Sequence, residues 1–169
     1  MPAQAPAFAG TLFLLRHGET VWNRERRLQG RADSPLTDRG VAQVRAMAER
    51  LAVELAGAPA RLVCSPLGRA RHSAAIVAER LGRPPEHLEI EPRLAEIAFG
   101  HWDGLTWEDI QRDHGEEQRR RAADRWNVAV GGGESFAEAG ERVRPWLAAI
   151  GRGELVVAVC HGALGRVIR

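Results

Sequence analysis

Three unbroken apolar runs divide the chain: Leu12–Leu15, Leu62–Cys64 and Leu155–Cys160. None alternates apolar with polar residues, so each predicts a strand covered on both faces, as in a parallel sheet held between helices. Between the runs the apolar period lengthens to that of a helix. Val41, Val44, Ala48, Leu51 and Leu55 form one stripe behind Thr37, a suitable N-cap, and Gly57-Ala58-Pro59 closes the segment. Ser65-Pro66 has the N-cap and first-turn proline of a helix reaching Leu81. A charged helical pattern covers Thr106–Trp126. A further helix, Ser135–Ile150, carries Phe136, Val143, Leu147 and Ile150 on one side, with a kink predicted at Pro145. Trp22–Pro35 reads as a polar loop, Leu88–Glu91 as a short extended segment, Leu94–Gly104 as an irregular loop, and Gly131-Gly132-Gly133 as a break.

Strands alternating with helices predict an α/β fold: three α/β/α layers around a mostly parallel central sheet. In such a sheet the C-terminal strand ends share one edge, where ligands bind. The three apolar runs stop at Arg16-His17, Ser65-Pro66 and His161-Gly162, so these polar ends are expected to converge. Helix N-termini meeting them there add partial positive charge.

Composition narrows the chemistry. With 169 residues, 44% of them hydrophobic, the chain suits one domain with one core. No apolar run reaches the length of a membrane span, and the first ten residues lack the basic start and apolar core of a secretory leader, so a soluble cytoplasmic protein is expected. Cys64 and Cys160 each end an apolar run and read as buried thiols in a reducing compartment, without metal-ligand spacing. All 24 Lys-plus-Arg positions are Arg. That excludes P-loop nucleotide hydrolysis, Schiff-base chemistry and pyridoxal phosphate, and leaves anion binding to guanidinium groups. A net charge of +2 does not indicate nucleic-acid binding. Arg24, Arg26, Arg27 and Arg31 read equally as a solvated loop or as an electrostatic funnel for a small anion. Arg119, Arg120 and Arg121 read as a solvated face. His72, His87, His101 and His114 have no evident partners and read as surface residues.

The converging ends would assemble Arg16, His17, His161 and an Arg from the first turn of the second helix, Arg69 being better placed than Arg71. Two guanidinium forks and two imidazoles, with no carboxylate cluster for a metal, describe a pocket for a tetrahedral dianion such as phosphate. His17 alone would read as a satisfied core histidine; Arg16 before it, Gly18 after it and His161 at another strand end favour catalysis. Glu19, Glu96, Asp103 and Glu134 compete as the acid.

Arg16-His17-Gly18-Glu19-Thr20-Val21-Trp22-Asn23, Gln29-Gly30, Cys64-Ser65-Pro66-Leu67-Gly68-Arg69-Ala70, Glu96–Gly104, Gly132-Gly133-Glu134-Ser135 and Cys160-His161-Gly162 follow one another in a familiar order. The chain resembles the histidine phosphatase superfamily, in its phosphoglycerate-mutase-like branch, over nearly its whole length. The resemblance implies that His17 takes the phosphoryl group, that Arg16, Arg69 and His161 line the phosphate pocket, and that Glu96 is the general acid and base. Thr20, Asn23, Gln29 and Gly30 match positions that contact phosphate or substrate. No cofactor and no metal are implied, and the partner would be a small phosphorylated metabolite. Apolar neighbours of Glu96, namely Phe99, Trp102 and Leu105, are expected to keep its carboxyl protonated near neutrality.

Family members usually continue beyond the helix after His161, so the single domain of residues 1–169 reads as lacking the usual C-terminal strand and helix. A second copy covering Leu164, Val167 and Ile168 would make a homodimer. Leu105–Val130 lacks the poly-Pro stretch of phosphoglycerate mutases, which favours a phosphomonoesterase. The Glu96–Gly104 loop resembles those of broad-specificity, α-ribazole and fructose-2,6-bisphosphate phosphatases alike. A phosphoglycerate mutase and a non-catalytic phosphate-binding protein are the alternatives. A metallophosphatase using His17, His161 and Glu96 is remote, since two Arg in the same pocket would repel the metal.

Overall fold

The structure is a computed structural model describing residues 9–169; the segment read as no secretory leader falls almost wholly outside them. Four strands, β1 (Thr11–Arg16), β2 (Arg61–Cys64), β3 (Leu88–Ile90) and β4 (Leu155–Cys160), form one sheet of order β1-β4-β2-β3. Every pairing is parallel. Arg16 stands in register with Cys160, and Cys64 with Val159, so the three predicted polar ends reach the same edge.

The helices are α1 (Val21–Arg24), α2 (Asp38–Leu55), α3 (Gly68–Arg80), α4 (Trp107–Asp113), α5 (Gly115–Ala123), α6 (Phe136–Ala148) and α7 (Gly162–Ile168). The pleat of β4 divides the core between two helix layers. Val157 and Val159 face α2 and α3, joining Val44, Leu51, Ala74 and Val77 in one cluster. Val156, Ala158 and Cys160 face the other way, among Phe136, Val143 and Trp146 of α6 and Leu164 of α7. Covering both faces explains why β4 carries no polar position.

Two helices differ from expectation at their boundaries, α3 and the charged segment after Thr106. α3 begins at Gly68 rather than at Ser65, because Ser65 is engaged elsewhere and the carboxylate of Asp33 accepts from the Gly68 N–H, and from that of Arg69 at 3.3 Å. A distant acid thus does the work of an N-cap. α2 ends on Ala56 in the left-handed conformation (φ 47°), one residue before the glycine that would adopt it more readily. The predicted Thr106–Trp126 helix is two helices broken at His114, and its Arg121 is buried rather than part of a solvated face. α6 continues through Pro145. Phe136, Val143, Trp146 and Leu147 are buried from it, and at about 1.5–3 kcal/mol each they outweigh the roughly 3 kcal/mol that an interior proline costs. Among the described residues no helix is long and apolar enough to cross a membrane.

Candidate active site

At the C-terminal edge of the sheet a cavity of about 700 Å³ opens, lined by Arg16, His17, Asn23, Gln29, Gly30, Arg69 and Glu96 among others. His161 lies beneath it, 1% exposed, with its ring centroid 5.2 Å from that of His17. Seven of the expected site residues therefore border one space, and His161 supports it. Thr20 does not. It is fully buried as the N-cap of α1, where its Oγ1 accepts from Asn23 N–H while Asn23 Oδ1 accepts from Thr20 N–H. Its side chain orders the loop that presents Asn23.

The tautomer of His17 follows from one contact. Its Nδ1 lies 2.7 Å from the carbonyl oxygen of Gly18, which can only accept, so Nδ1 carries the hydrogen and Nε2 is left with its lone pair. Burial lowers the His17 pKa from 6.5 to about 4; the Gly18 hydrogen bond opposes this, and the charges of Arg69 and Arg16 reinforce it. His17 is thus a neutral imidazole whose Nε2 lone pair is held in one orientation.

His161 is positioned by Ser65, whose Oγ lies 2.7 Å from Nε2. Ser65 Oγ accepts from Leu67 N–H at 3.3 Å and so can donate its own hydrogen to Nε2. That assignment makes Nδ1–H the free donor, and Nδ1 is buried with no partner among the described residues. Burial, then the charges of Arg69, His17 and Arg16, hold the His161 pKa well below its ordinary value.

Arg69 is 2% exposed, whereas Arg71 is exposed. The Arg69 fork donates to Ala32 O (2.6 Å), Gly30 O (2.8 Å) and Asp33 Oδ1 (3.1 Å), leaving a buried Nε without a partner among the described residues. Gly30 must accept that fork at φ +48°, and a Cβ there would run into the Asp103 carboxylate, so glycine is required. Asp33 therefore caps α3 and fixes Arg69 together; nothing in its sequence neighbourhood marks it for this role.

Glu96 is 8% exposed, but its setting is not the apolar one expected. Oε1 accepts from Ile97 N–H and Leu164 N–H, both at 2.9 Å, and Oε2 from Ala163 N–H at 3.0 Å. Backbone amides at the start of α7 engage both oxygens. The main chain around Glu96 is clamped as well: Arg31 Nε donates to Glu96 O (3.2 Å), Arg142 Nη2 to Ala95 O (3.1 Å), and both guanidinium groups pair with Glu134. Of the competing carboxylates, Glu134 and Asp103 serve structure, and Glu19 accepts from Thr37 Oγ1.

Among the described residues, the group of His, Cys, Asp or Glu close enough to share a metal ion is His101, His114 and Glu117. It lies outside the cavity lining, and it gives His101 partners that its sequence context did not suggest: Nε2 pairs with Glu117 Oε2 at 2.8 Å.

A buried histidine, a second histidine behind it, two arginines and a glutamate thus meet at one sheet edge. The profile of the histidine phosphatase superfamily (branch 1) matches residues 12–169. The chain belongs to this superfamily. It is 34% identical over 161 residues to the probable phosphoglycerate mutase GpmB of Escherichia fergusonii, covering 93% of this chain and 72% of that protein. Against a metal-independent phosphoserine phosphatase of Arabidopsis thaliana the identity is 35% over 161 residues, covering 93% of this chain and 66% of the relative. A mycobacterial glucosyl-3-phosphoglycerate phosphatase, solved in complex with VO3, superposes with a TM-score of 0.80 at 33% identity, covering 93% of this chain and 78% of that one.

Proposed function

We propose that the chain is a metal-independent phosphomonoesterase acting on a small phosphorylated metabolite through a phosphohistidine. The observation that carries this reading is the His17 contact to Gly18 O, which leaves Nε2 unprotonated in a cavity bordered by Arg16 and Arg69. In the first step Nε2 attacks phosphorus; the N–P bond forms, the ester P–O bond breaks, and the leaving oxygen takes a proton from the Glu96 carboxyl. In the second step the Glu96 carboxylate takes a proton from water, whose oxygen attacks phosphorus and releases inorganic phosphate and His17. Oε2 of Glu96 accepts one N–H only and keeps a lone pair for this proton traffic. Arg16, the free Nε of Arg69 and the Nδ1–H of His161 supply fixed donors for the equatorial oxygens.

Two named phosphatases among the relatives and neighbours support hydrolysis. The likeness to a probable phosphoglycerate mutase supports a second reading, in which the phosphoryl group returns to product. Two buried thiols, with burial pushing Cys64 up to about 11 and Cys160 up to about 12, fit a reducing cytoplasm.

Hydrolysis of p-nitrophenyl phosphate in excess EDTA, compared with His17→Ala, tests the proposal. Turnover lost in the variant supports it, and inactivity of the wild-type chain contradicts it. Phosphoryl exchange between phosphoglycerates in the presence of a bisphosphoglycerate, outpacing hydrolysis, would favour the mutase.

A further inference from the structure

His101, His114 and Glu117 meet outside the cavity lining. His101 stands on the single turn Gly100–Trp102 that follows the Glu96 segment. His114 stands at the break between α4 and α5, and Glu117 three positions later on the same side of α5. One nitrogen of each imidazole and one oxygen of the carboxylate all lie within 4.8 Å of one another. The two ring centroids are also 4.8 Å apart.

The hydrogen bonds around this group are those that prepare metal ligands. Gly131 O lies 3.1 Å from His101 Nδ1 and can only accept, so Nδ1 carries a hydrogen. On the other side of the ring, Nε2 meets Glu117 Oε2 at 2.8 Å. In the neutral ring both of these atoms are acceptors, and two acceptors so close need a positive centre between them, a proton or a metal ion. Histidines that ligate metals donate their second N–H to a carbonyl or carboxylate, and ligating carboxylates are themselves hydrogen-bonded. Both conditions hold here. Glu117 Oε1 accepts from Gly131 N–H at 3.0 Å, and Oε2 from Trp102 Nε1–H at 3.1 Å. A Cβ on Gly131 would come within 3.1 Å of the His101 ring, so the glycine lets the ring lie against the main chain. His114 gives α5 no side-chain cap, which leaves its ring to the group.

We propose that His101, His114 and Glu117 bind one divalent cation of the zinc type, with water as the fourth ligand, apart from the phosphoryl cavity. Two imidazoles and a carboxylate suit zinc, whereas magnesium and calcium take oxygen ligands. Donors around a tetrahedral zinc stand roughly 3.3 Å apart, so Nε2 and Oε2 separate by about half an ångström and the His114 ring swings in to join them. The His101 side chain is 44% exposed, so the ion enters from solvent without opening the core. It takes no part in phosphoryl transfer. It pins α5, which brings Gln118, Arg119 and Ala122 to the cavity lining, against the turn that holds Trp102, and so braces one wall of the cavity. This goes beyond the phosphatase reading and does not depend on it.

Zinc titrated into the full chain, stripped with EDTA and exchanged into metal-free buffer, tests the proposal by calorimetry. One equivalent should bind. His114→Gln and Glu117→Gln should each weaken binding at least tenfold, whereas His17→Ala should leave it unchanged. Zinc at a hundredfold excess over its Kd should raise the thermal midpoint of the unsubstituted chain by about 5–10 °C, and those of the two glutamine variants by less. Cobalt(II) in place of zinc gives a readout that needs no variant: the visible absorption of a four-coordinate nitrogen and oxygen site is expected, and that of the hydrated octahedral ion contradicts it. No stoichiometric binding, an affinity unchanged in both glutamine variants, or binding lost in His17→Ala would overturn the proposal, the last because the ion would then sit in the cavity.

Discussion

The rings of His17 and His161 lie 5.2 Å apart at an interplanar angle of 57°, and each is fixed by a different partner: His17 by its neighbour's carbonyl, His161 by Ser65 from another strand end. Burial first, then the charges of Arg69 and Arg16, disfavours protonation of both rings, and the nearby His17 adds to the effect on His161.

That arrangement sets a pH dependence. The His17 pKa of about 4 means that its neutral imidazole, the form the proposed mechanism needs, predominates at every pH above that value. The acid limb of kcat/KM should therefore show no loss through pH 6.5, and an inflection near neutrality assigned to His17 by its loss on substitution would contradict this. Stability follows the same linkage. The folded pKa is below the unfolded one, so the unfolded chain binds more protons between about pH 4 and 6.5 and stability falls as the pH drops through that window. For His17 the loss amounts to about 3 kcal/mol, and His161 adds to it in the same direction. Denaturant titrations at several pH values measure it.

Glu134 and Arg142 hold the segment that presents Glu96. Arg142 pairs with Glu134 at 2.7 Å and donates to the carbonyls of Arg93 and Ala95. Arg142→Ala should lower kcat by roughly 10- to 100-fold with little change in KM, since small misplacements of a catalytic group cost about that much. A change confined to KM would show that Arg142 does not act through Glu96. Glu134→Gln should give a smaller effect of the same kind.

Ser65→Ala removes the partner of His161 Nε2 and frees the ring to turn. The expected result is a fall in kcat of about tenfold with stability reduced by about 1 kcal/mol, the ordinary worth of a buried hydrogen bond. Unchanged kcat would show that His161 needs no help from Ser65 to keep its orientation.

Ala56 ends α2 at φ 47° and is exposed. Ala56→Gly relieves the left-handed conformation without touching the core, and should stabilise the fold by about 0.5–1 kcal/mol. A thermal midpoint raised by about 1–4 °C would show it, and a lowered one would contradict it.

Much of this site was legible in the sequence because its parts sit next to strong local signals. Arg16-His17 and His161 each follow an apolar run, and a parallel sheet gathers such ends without further information. Arg69 was legible from its place in the first turn of the helix that follows Ser65-Pro66, whereas Glu96 was legible only through resemblance, since one glutamate in a loop carries no periodic signal of its own. What stayed hidden acts across space. Asp33 meets α3 over 35 positions of chain, Ser65 meets His161 over 96, and neither separation leaves a pattern. Arg121 was hidden by its neighbours: three consecutive arginines suggest a solvated face, and only the folded chain sets one of them over Phe99 and Phe136. Thr20 shows the converse, a residue inside a functional motif whose side chain closes a helix cap.

The phosphoryl group on His17 can be sought directly. Mixing the protein with a phosphoester carrying radiolabelled phosphate, quenching within a turnover and mapping the label should give a phosphohistidine at His17, labile to acid and stable to alkali. His17→Ala should carry none and turn over nothing. Hydrolysis that proceeds with no label on the protein, or that survives His17→Ala, would contradict transfer through this residue.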